Sequence, residues 1–277
     1  MKSTDSSPRN VTNSGLAGQY DRSPSAGRIH AVRVFDLLAR AWRSGANGRN
    51  SESPRQKHIR GVVRNVGRQN LTYLSRNSLE HLVAVCEQID DLHIPGLIIE
   101  AGCALGGSAI VLATAKGLER RFDIYDVFGM IPAPSPEDTP DVFKRYSTIL
   151  SGKARGIRGS PYYGYESNLL DIVLANFKRF GIGLETHNMR VVKGLIQDTL
   201  SINEPVAMAH IDVDWYSPVK VSLSRIFPNL SVGGTIVLDD YFAWGGCKKA
   251  TDEYLATVQG QCVAMRTGSV LSITRTS

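Results

Sequence analysis

The sequence predicts an α/β fold: a doubly wound, mostly parallel seven-stranded sheet covered by helices on both faces and closed by a C-terminal antiparallel hairpin. Three observations carry this prediction. Five short apolar runs between Leu97 and Leu238 alternate with stretches of helical periodicity, the rhythm of strand–helix–strand units. The first run, Leu97-Ile98-Ile99, passes into a glycine-rich turn from Gly102 to Gly107 and then into a helical pattern through Ile110, Val111, Leu112 and Ala115. Three of the runs end in carboxylates, at Asp126, at Asp212 and at Asp239-Asp240, and open sheets of this class bind ligands beyond the carboxyl ends of their strands.

Taken from the start, residues 1–28 are Ser, Asn, Gly, Arg and Pro with hardly an apolar cluster, a composition that buries too little surface to offset ordering entropy. Residues 1–60 therefore read as a basic, largely disordered leader. It holds one amphipathic helix over 29–43, built on Ile29, Val32, Phe35, Leu38 and Trp42, and a second polar linker from Ser44 to Lys57. The net charge of +6 belongs to this leader: residues 1–60 hold 11 Lys/Arg and 4 Asp/Glu, whereas the remaining 217 hold 21 and 22. Such a tail can bind RNA or acidic membranes, but it has no interleaved aromatics, so a solvated leader is expected and nucleic acid is not. Its Arg/Ser-rich, acid-poor start also resembles a transit peptide, although the amphipathic segment begins late. No apolar run reaches the roughly 18 residues a membrane span needs. The four cysteines lack CxxC spacing, which fits a reducing cytoplasm without disulfides or zinc.

Residues 61–277 form the folded domain. Leu79, Leu82, Val83, Val85, Cys86 and Ile89 recur at helical spacing, with Ser75 or Ser78 as cap and Ile94-Pro95-Gly96 as stop. At the glycine turn the backbone can approach a ligand closely, and the unpaired N–H groups of the following helix attract an anionic end. The second strand, Phe122 to Tyr125, ends in Asp126, 24 residues past Gly102, where an acidic side chain accepts hydrogen bonds from ribose hydroxyls. Prolines and a basic, tyrosine-rich run then break the pattern over 129–168, which reads as a lid-like insertion. A helix over Leu169–Phe180 follows, then a strand at Met189–Val192 and the turn Gly194 to Asp198. Val206 to Ile211 is the fourth strand, a helix covers Val219–Phe227, Thr235–Leu238 is the fifth strand, and Lys249 to Val258 is the last helix. Cys262–Met265 and Val270–Thr274 form the hairpin around a Thr-Gly-Ser turn.

Asp212, Asp239 and Asp240 converge in this topology, because the first and fourth strands flank the switch point and the fifth is next door. Clustered carboxylates repel one another unless a cation lies between them, and an all-oxygen set favours Mg²⁺ or Ca²⁺. The competing reading makes one aspartate a helix cap and pairs another with Lys248 or Lys249. Asp214 is either an outer carboxylate or a cap.

The motifs Glu100-x-Gly102-x-x-x-Gly106-Gly-Ser108, Asp126, Gly194-x-x-Gln197-Asp198, Asp212-x-Asp214-x-Tyr216 and Asp239-Asp240-Tyr-x-x-x-x-Gly246-Cys247-Lys248 resemble the macrocin O-methyltransferase (TylF-like) family, over residues 67–274. The resemblance implies a Rossmann-like methyltransferase fold and Mg²⁺-dependent methylation of a sugar hydroxyl of a natural product by S-adenosylmethionine. It implies that Gly102, Gly106 and Ser108 hold the methionine end of the donor and that Glu100 supports that loop. Asp126 would bind ribose, Gln197 and Asp198 would flank adenine, and Asp212, Asp239 and Asp240 would bind Mg²⁺. It also implies self-association and a small-molecule acceptor. Catechol O-methyltransferases share this metal logic, but their lysine base, three residues after the first metal aspartate, is here Trp215.

A hydroxyl near pKa ~15 is a poor nucleophile until a divalent cation lowers its pKa. Asp212 is the first candidate for the base that takes its proton, and His210, two residues back on the same strand face, is the second. An NAD(P)-dependent oxidoreductase would share the opening turn and Asp126, yet Cys103-Ala104 breaks the Gly-x-Gly-x-x-Gly fingerprint and Asp239-Asp240 is left without a task. A non-catalytic nucleotide-binding protein is the remaining alternative.

Overall fold

The structure is a computed structural model and describes residues 53–277. The leader's helix over 29–43 and most of the linker lie outside the described residues.

The first described helix, α1 (Pro54–Arg68), crosses residue 60, where the sequence placed the end of the leader. Its start is a capping box: the Ser53 hydroxyl accepts from Gln56 N–H and the Gln56 side chain accepts from Ser53 N–H, both at 3.2 Å, with Pro54 in the first turn. Ile59, Val62, Val63 and Val66 form its buried stripe. Helix α2 (Arg76–Asp91) begins at Ser75, whose hydroxyl accepts from Ser78 N–H.

The strands are β1 (Leu97–Ala101), β2 (Phe122–Asp126), β3 (Met189–Lys193), β4 (Val206–Ile211), β5 (Leu230–Leu238), β6 (Cys262–Thr267) and β7 (Val270–Arg275), in sheet order β3-β2-β1-β4-β5-β7-β6. Pairings from β3 through β5 are parallel, and β7 lies antiparallel between β5 and β6. The predicted mixed seven-stranded sheet is what forms. Strands β1 and β4 are buried along their whole length, as expected of apolar runs covered on both faces. One face packs under α1, α2, α3 (Gly107–Ala115) and α5 (Leu169–Arg179), around Ile98, Ile124, Met208 and Val237. The opposite face packs under α7 (Tyr216–Ile226) and α8 (Gly245–Thr257), around Ile99, Ala209, Ile211 and Ile236. Each fully buried isoleucine, valine or methionine among them contributes roughly 1.5–3 kcal/mol.

Between β2 and α5 the predicted insertion carries a helix that the sequence reading lacked, α4 (Pro140–Leu150), and two short 3₁₀ turns. A one-turn helix, α6 (Ile196–Thr199), follows β3. Because β2 and β5 lie on opposite sides of the β1–β4 pair, the chain leaves β1 and β4 in opposite directions and opens a crevice above their ends.

Candidate active site

The crevice is built first by backbone contact. At Gly102 (φ +84°) an added Cβ would lie 1.9 Å from the Asp212 carbonyl oxygen, so the loops after β1 and β4 meet at a residue that must be glycine. Asp126, at the end of β2, folds the glycine loop from the other side. Its Oδ2 accepts from Cys103 N–H at 2.8 Å and Ala104 N–H at 3.3 Å, and its Oδ1 accepts from Phe128 N–H at 2.6 Å. Burial pushes the Asp126 carboxyl upward and these three N–H bonds oppose it.

A cavity of about 320 Å³ opens here, within the ~300–1,000 Å³ range of small-molecule sites. One half is lined by Gly102, Ala104, Asp126, Gly194, Ile196 and Gln197. The other is aromatic and carries one cation: Tyr73, Arg145, Tyr162, Tyr163, Trp215 and Trp244. The rings of Tyr162 and Tyr163 lie 4.6 Å apart, and Trp215 meets Trp244 edge-on at 5.8 Å.

Several expected donor contacts fall elsewhere. Gly106 and Ser108 are buried and do not line the cavity. Gly106 backs onto Phe177 and Val173, and the N-terminus of α3 is closed by the chain itself, Gly107 N–H donating to the Leu71 carbonyl at 3.1 Å. Asp198 is exposed and lines a separate shallow cavity beside Arg225 and Asn229, because successive residues of the short α6 turn point in different directions. Gln197 does line the main cavity and donates to the Ser217 hydroxyl at 3.3 Å.

Glu100 and His210 face each other on β1 and β4, with Oε1 to Nδ1 at 2.9 Å, and both are fully buried. Neither lines the cavity. His210 is therefore not placed as a base, and Glu100 supports His210 rather than the glycine loop. Burial pushes the His210 pKa down, but the hydrogen bond and charge of Glu100, with the charges of Asp212 and Asp239, raise it overall. The pair lies beneath the acidic floor.

That floor holds four carboxylates. Asp212, Asp239 and Asp240 all line the cavity, as expected. Asp212, Asp214 and Asp240 each offer an oxygen within 4.8 Å of the others, so Asp214 joins the tightest group and Asp239 stands beside it. Asp214 adopts the left-handed backbone conformation (φ +53°), a strain of about 1 kcal/mol or more for a residue with a side chain, and its N–H donates to Asp240 Oδ2 at 3.2 Å. Burial, then the charge of Asp239, pushes the Asp212 carboxyl up to about 8. Burial likewise pushes Asp214 up to about 6, and raises Asp239 and, much further, Asp240. Among the described residues none of the four forms a salt bridge with a lysine or arginine. Lys248 pairs with Asp252 at 2.5 Å and Lys249 donates to the Glu137 carbonyl, which removes the reading in which these lysines neutralise the cluster. An oxygen-only, carboxylate-rich set of this kind suits a hard divalent cation.

The insertion contributes Arg145, Tyr162 and Tyr163, whereas Lys153, Arg155 and Arg158 stay outside the cavity. Tyr165 donates to the Ile149 carbonyl at 2.6 Å and so braces the insertion. Sequence reading missed Tyr73, Arg145 and Trp244. Pro140 behind Thr139 was a helix-start signal that would have placed Arg145 on a helix; no comparable signal marks the other two.

Comparison with known proteins finds relatives over most of the chain. The family described as macrocin O-methyltransferase (TylF) matches residues 20–261. Demethyldecarbamoylnovobiocin O-methyltransferase of Streptomyces niveus is 30% identical over 214 residues, covering 75% of this chain and 78% of that protein. The 8-demethyl-8-(2,3-dimethoxy-α-L-rhamnosyl)-tetracenomycin-C 4′-O-methyltransferase of Streptomyces olivaceus is 28% identical, covering 64% of this chain and 68% of that protein. Among solved structures, the O-methyltransferase NovP superposes with a TM-score of 0.63 at 23% identity, covering 91% of this chain and 100% of that one.

Proposed function

The chain belongs to the macrocin O-methyltransferase (TylF) family and is an S-adenosylmethionine-dependent O-methyltransferase, and from that premise we propose that it methylates a sugar hydroxyl of a glycosylated natural product with the help of Mg²⁺. The observation that carries the metal reading is the floor of four carboxylates with raised pKa values and, among the described residues, no salt bridge to a lysine or arginine. The sugar reading is supported by a relative whose name places its methyl group on a rhamnosyl unit.

When bound, S-adenosylmethionine supplies the methyl electrophile and Mg²⁺ lowers the pKa of the acceptor hydroxyl. Gly102, Ala104, Asp126 and Gln197 frame the donor half. Each Asp126 oxygen can accept up to two hydrogen bonds, so Oδ1, which receives only Phe128 N–H, keeps capacity for a ribose hydroxyl. Asp212 and Asp240 would hold the metal, together with Asp239, which the resemblance adds, or Asp214, which the geometry adds. Asp212 accepts the hydroxyl proton as the oxygen–methyl bond forms and the methyl–sulfur bond breaks. Tyr73, Tyr162 and Tyr163 offer faces on which a sugar packs, and Arg145 offers the polar end of that half. Trp215 stands where a catechol-type enzyme has its lysine, and its indole N–H is engaged with the Pro132 carbonyl at 3.0 Å, which favours the sugar reading over the catechol one.

The test is methyl transfer against a panel of glycosides, nucleotide sugars and catechols, with and without EDTA. Turnover of a sugar substrate that stops with EDTA and returns with Mg²⁺ is expected. Turnover that survives EDTA contradicts the metal assignment, and turnover of catechols alone contradicts the sugar assignment.

A further inference from the structure

The two acidic loops end in helix starts: Asp212–Trp215 leads into α7 and Asp239–Trp244 leads into α8. Neither helix is capped by a side chain of its own first turn. Both caps come from the insertion. Asp138, buried, accepts from Tyr216 N–H through Oδ1 at 2.7 Å, and its Oδ2 accepts from the N–H and hydroxyl of Ser135 at 2.8 and 3.0 Å. Asp141 Oδ2 accepts from Gly245 N–H at 3.0 Å. The fit leaves no slack, since a Cβ on Gly246 would lie 2.2 Å from Asp138 Oδ1. Two more ties run the same way, from Trp215 to the Pro132 carbonyl and from Lys249 to the Glu137 carbonyl. An acidic residue three positions apart from its companion thus closes each loop from outside, and both belong to the segment that also presents Arg145, Tyr162 and Tyr163 to the cavity.

We propose that Asp138 and Asp141 are positioning residues for the metal site, holding the two aspartate loops at the separation a shared cation requires, so that the insertion framing the acceptor also sets the cation site. Neither carboxylate touches the cavity; each acts through a backbone N–H at the far end of a ligand loop. Groups that hydrogen-bond metal ligands directly cost roughly 10–100-fold in metal affinity when removed, and groups acting through the loop backbone are expected at the lower end of that range. The inference rests on the Mg²⁺ reading above.

The experiment measures Mn²⁺ and S-adenosylmethionine binding to the full-length protein by calorimetry, for wild type, D138A, D138N and D141A. Expected is a rise of about tenfold or more in the Mn²⁺ dissociation constant of D138A with the S-adenosylmethionine constant within about twofold. D138N keeps one oxygen that can accept from Tyr216 N–H but turns its NH2 toward Ser135 N–H, so it recovers only part of the loss. D138A binding Mn²⁺ like wild type overturns the inference, and so does a loss of both ligands together, which marks a merely structural role. Should D138A fail to fold, D141A carries the same expectation at a more exposed helix start. If wild type itself binds no Mn²⁺, the metal reading falls and this inference with it.

Discussion

Asp123 and the Asp212–Asp240 floor are both acidic sites inside one fold, and the protein treats them in opposite ways. Asp123, 1% exposed, accepts from Arg121 Nε at 2.9 Å and Nη2 at 2.6 Å and from Arg190 at 2.7 Å. Burial pushes its carboxyl up, but these two cations outweigh that and hold it below the usual carboxylate range. Among the described residues the four aspartates of the floor form no such salt bridges, and their pKa values rise. Where the chain intends a carboxylate for stability it supplies the counter-charge itself. Where it withholds one, either protonation or a bound cation has to neutralise the charge.

The contrast can be broken most sharply at Asp212. D212N removes the base and a metal ligand while keeping size, and kcat is expected to fall by about 10²–10⁴, with S-adenosylmethionine affinity unchanged by calorimetry. Retention of more than a tenth of the activity would show that Asp212 is not the base. D123N leaves two half-exposed guanidiniums around a buried neutral amide and is expected to destabilise the fold by about 1–2 kcal/mol in urea titrations, without altering metal affinity. A shift below 1 kcal/mol would mean that the clamp contributes little.

Smaller effects should carry opposite signs at the two sites. Without metal, D240N relieves repulsion and is expected to raise stability by about 1 kcal/mol while abolishing the rise in Tm on adding Mg²⁺; an unchanged response to Mg²⁺ would remove Asp240 from the ligand set. The pH profile divides likewise. The floor's folded pKa values lie above the unfolded ones, so its contribution is fully present below about pH 4 and is lost as pH rises through about 6 and about 8, the values for Asp214 and Asp212. The metal-free protein should therefore melt lower at pH 8 than at pH 5.5, by about 2–4 °C for each kcal/mol lost, and saturating Mg²⁺ should flatten that slope. Asp123, with its depressed pKa, contributes above about pH 4 and is lost only below it. A metal-free protein that grew more stable from pH 5.5 to 8 would contradict the floor's assignment.

Much of this was legible from residue order alone. Strand β4 runs from Val206 to Ile211 as its apolar run indicated, and the aspartates at strand ends reach the crevice because strand direction dictates where a strand's last residue points. Legibility failed where few residues of an element face the core. Helix α4 buries only Val142 and Ile149, and the first turn of α1 is wholly polar, so periodicity had little to register. It failed again where a distant segment intervened. Nothing near Gly106 or Ser108 reveals that the Leu71 carbonyl closes their helix, and nothing before Asp214 announces its left-handed turn.

The bond from Gly107 to Leu71 also sets how far this enzyme can be trimmed. A chain cut back to begin at Arg76 would keep all seven strands and all four floor aspartates. It would also uncover the start of α3, strip Tyr73 from the cavity wall and bare the apolar face that α1 covers. The minimal working unit therefore starts upstream of the sheet, and shortening the N-terminus in search of a smaller catalyst would remove α1 and then a wall of the site before it reached any strand.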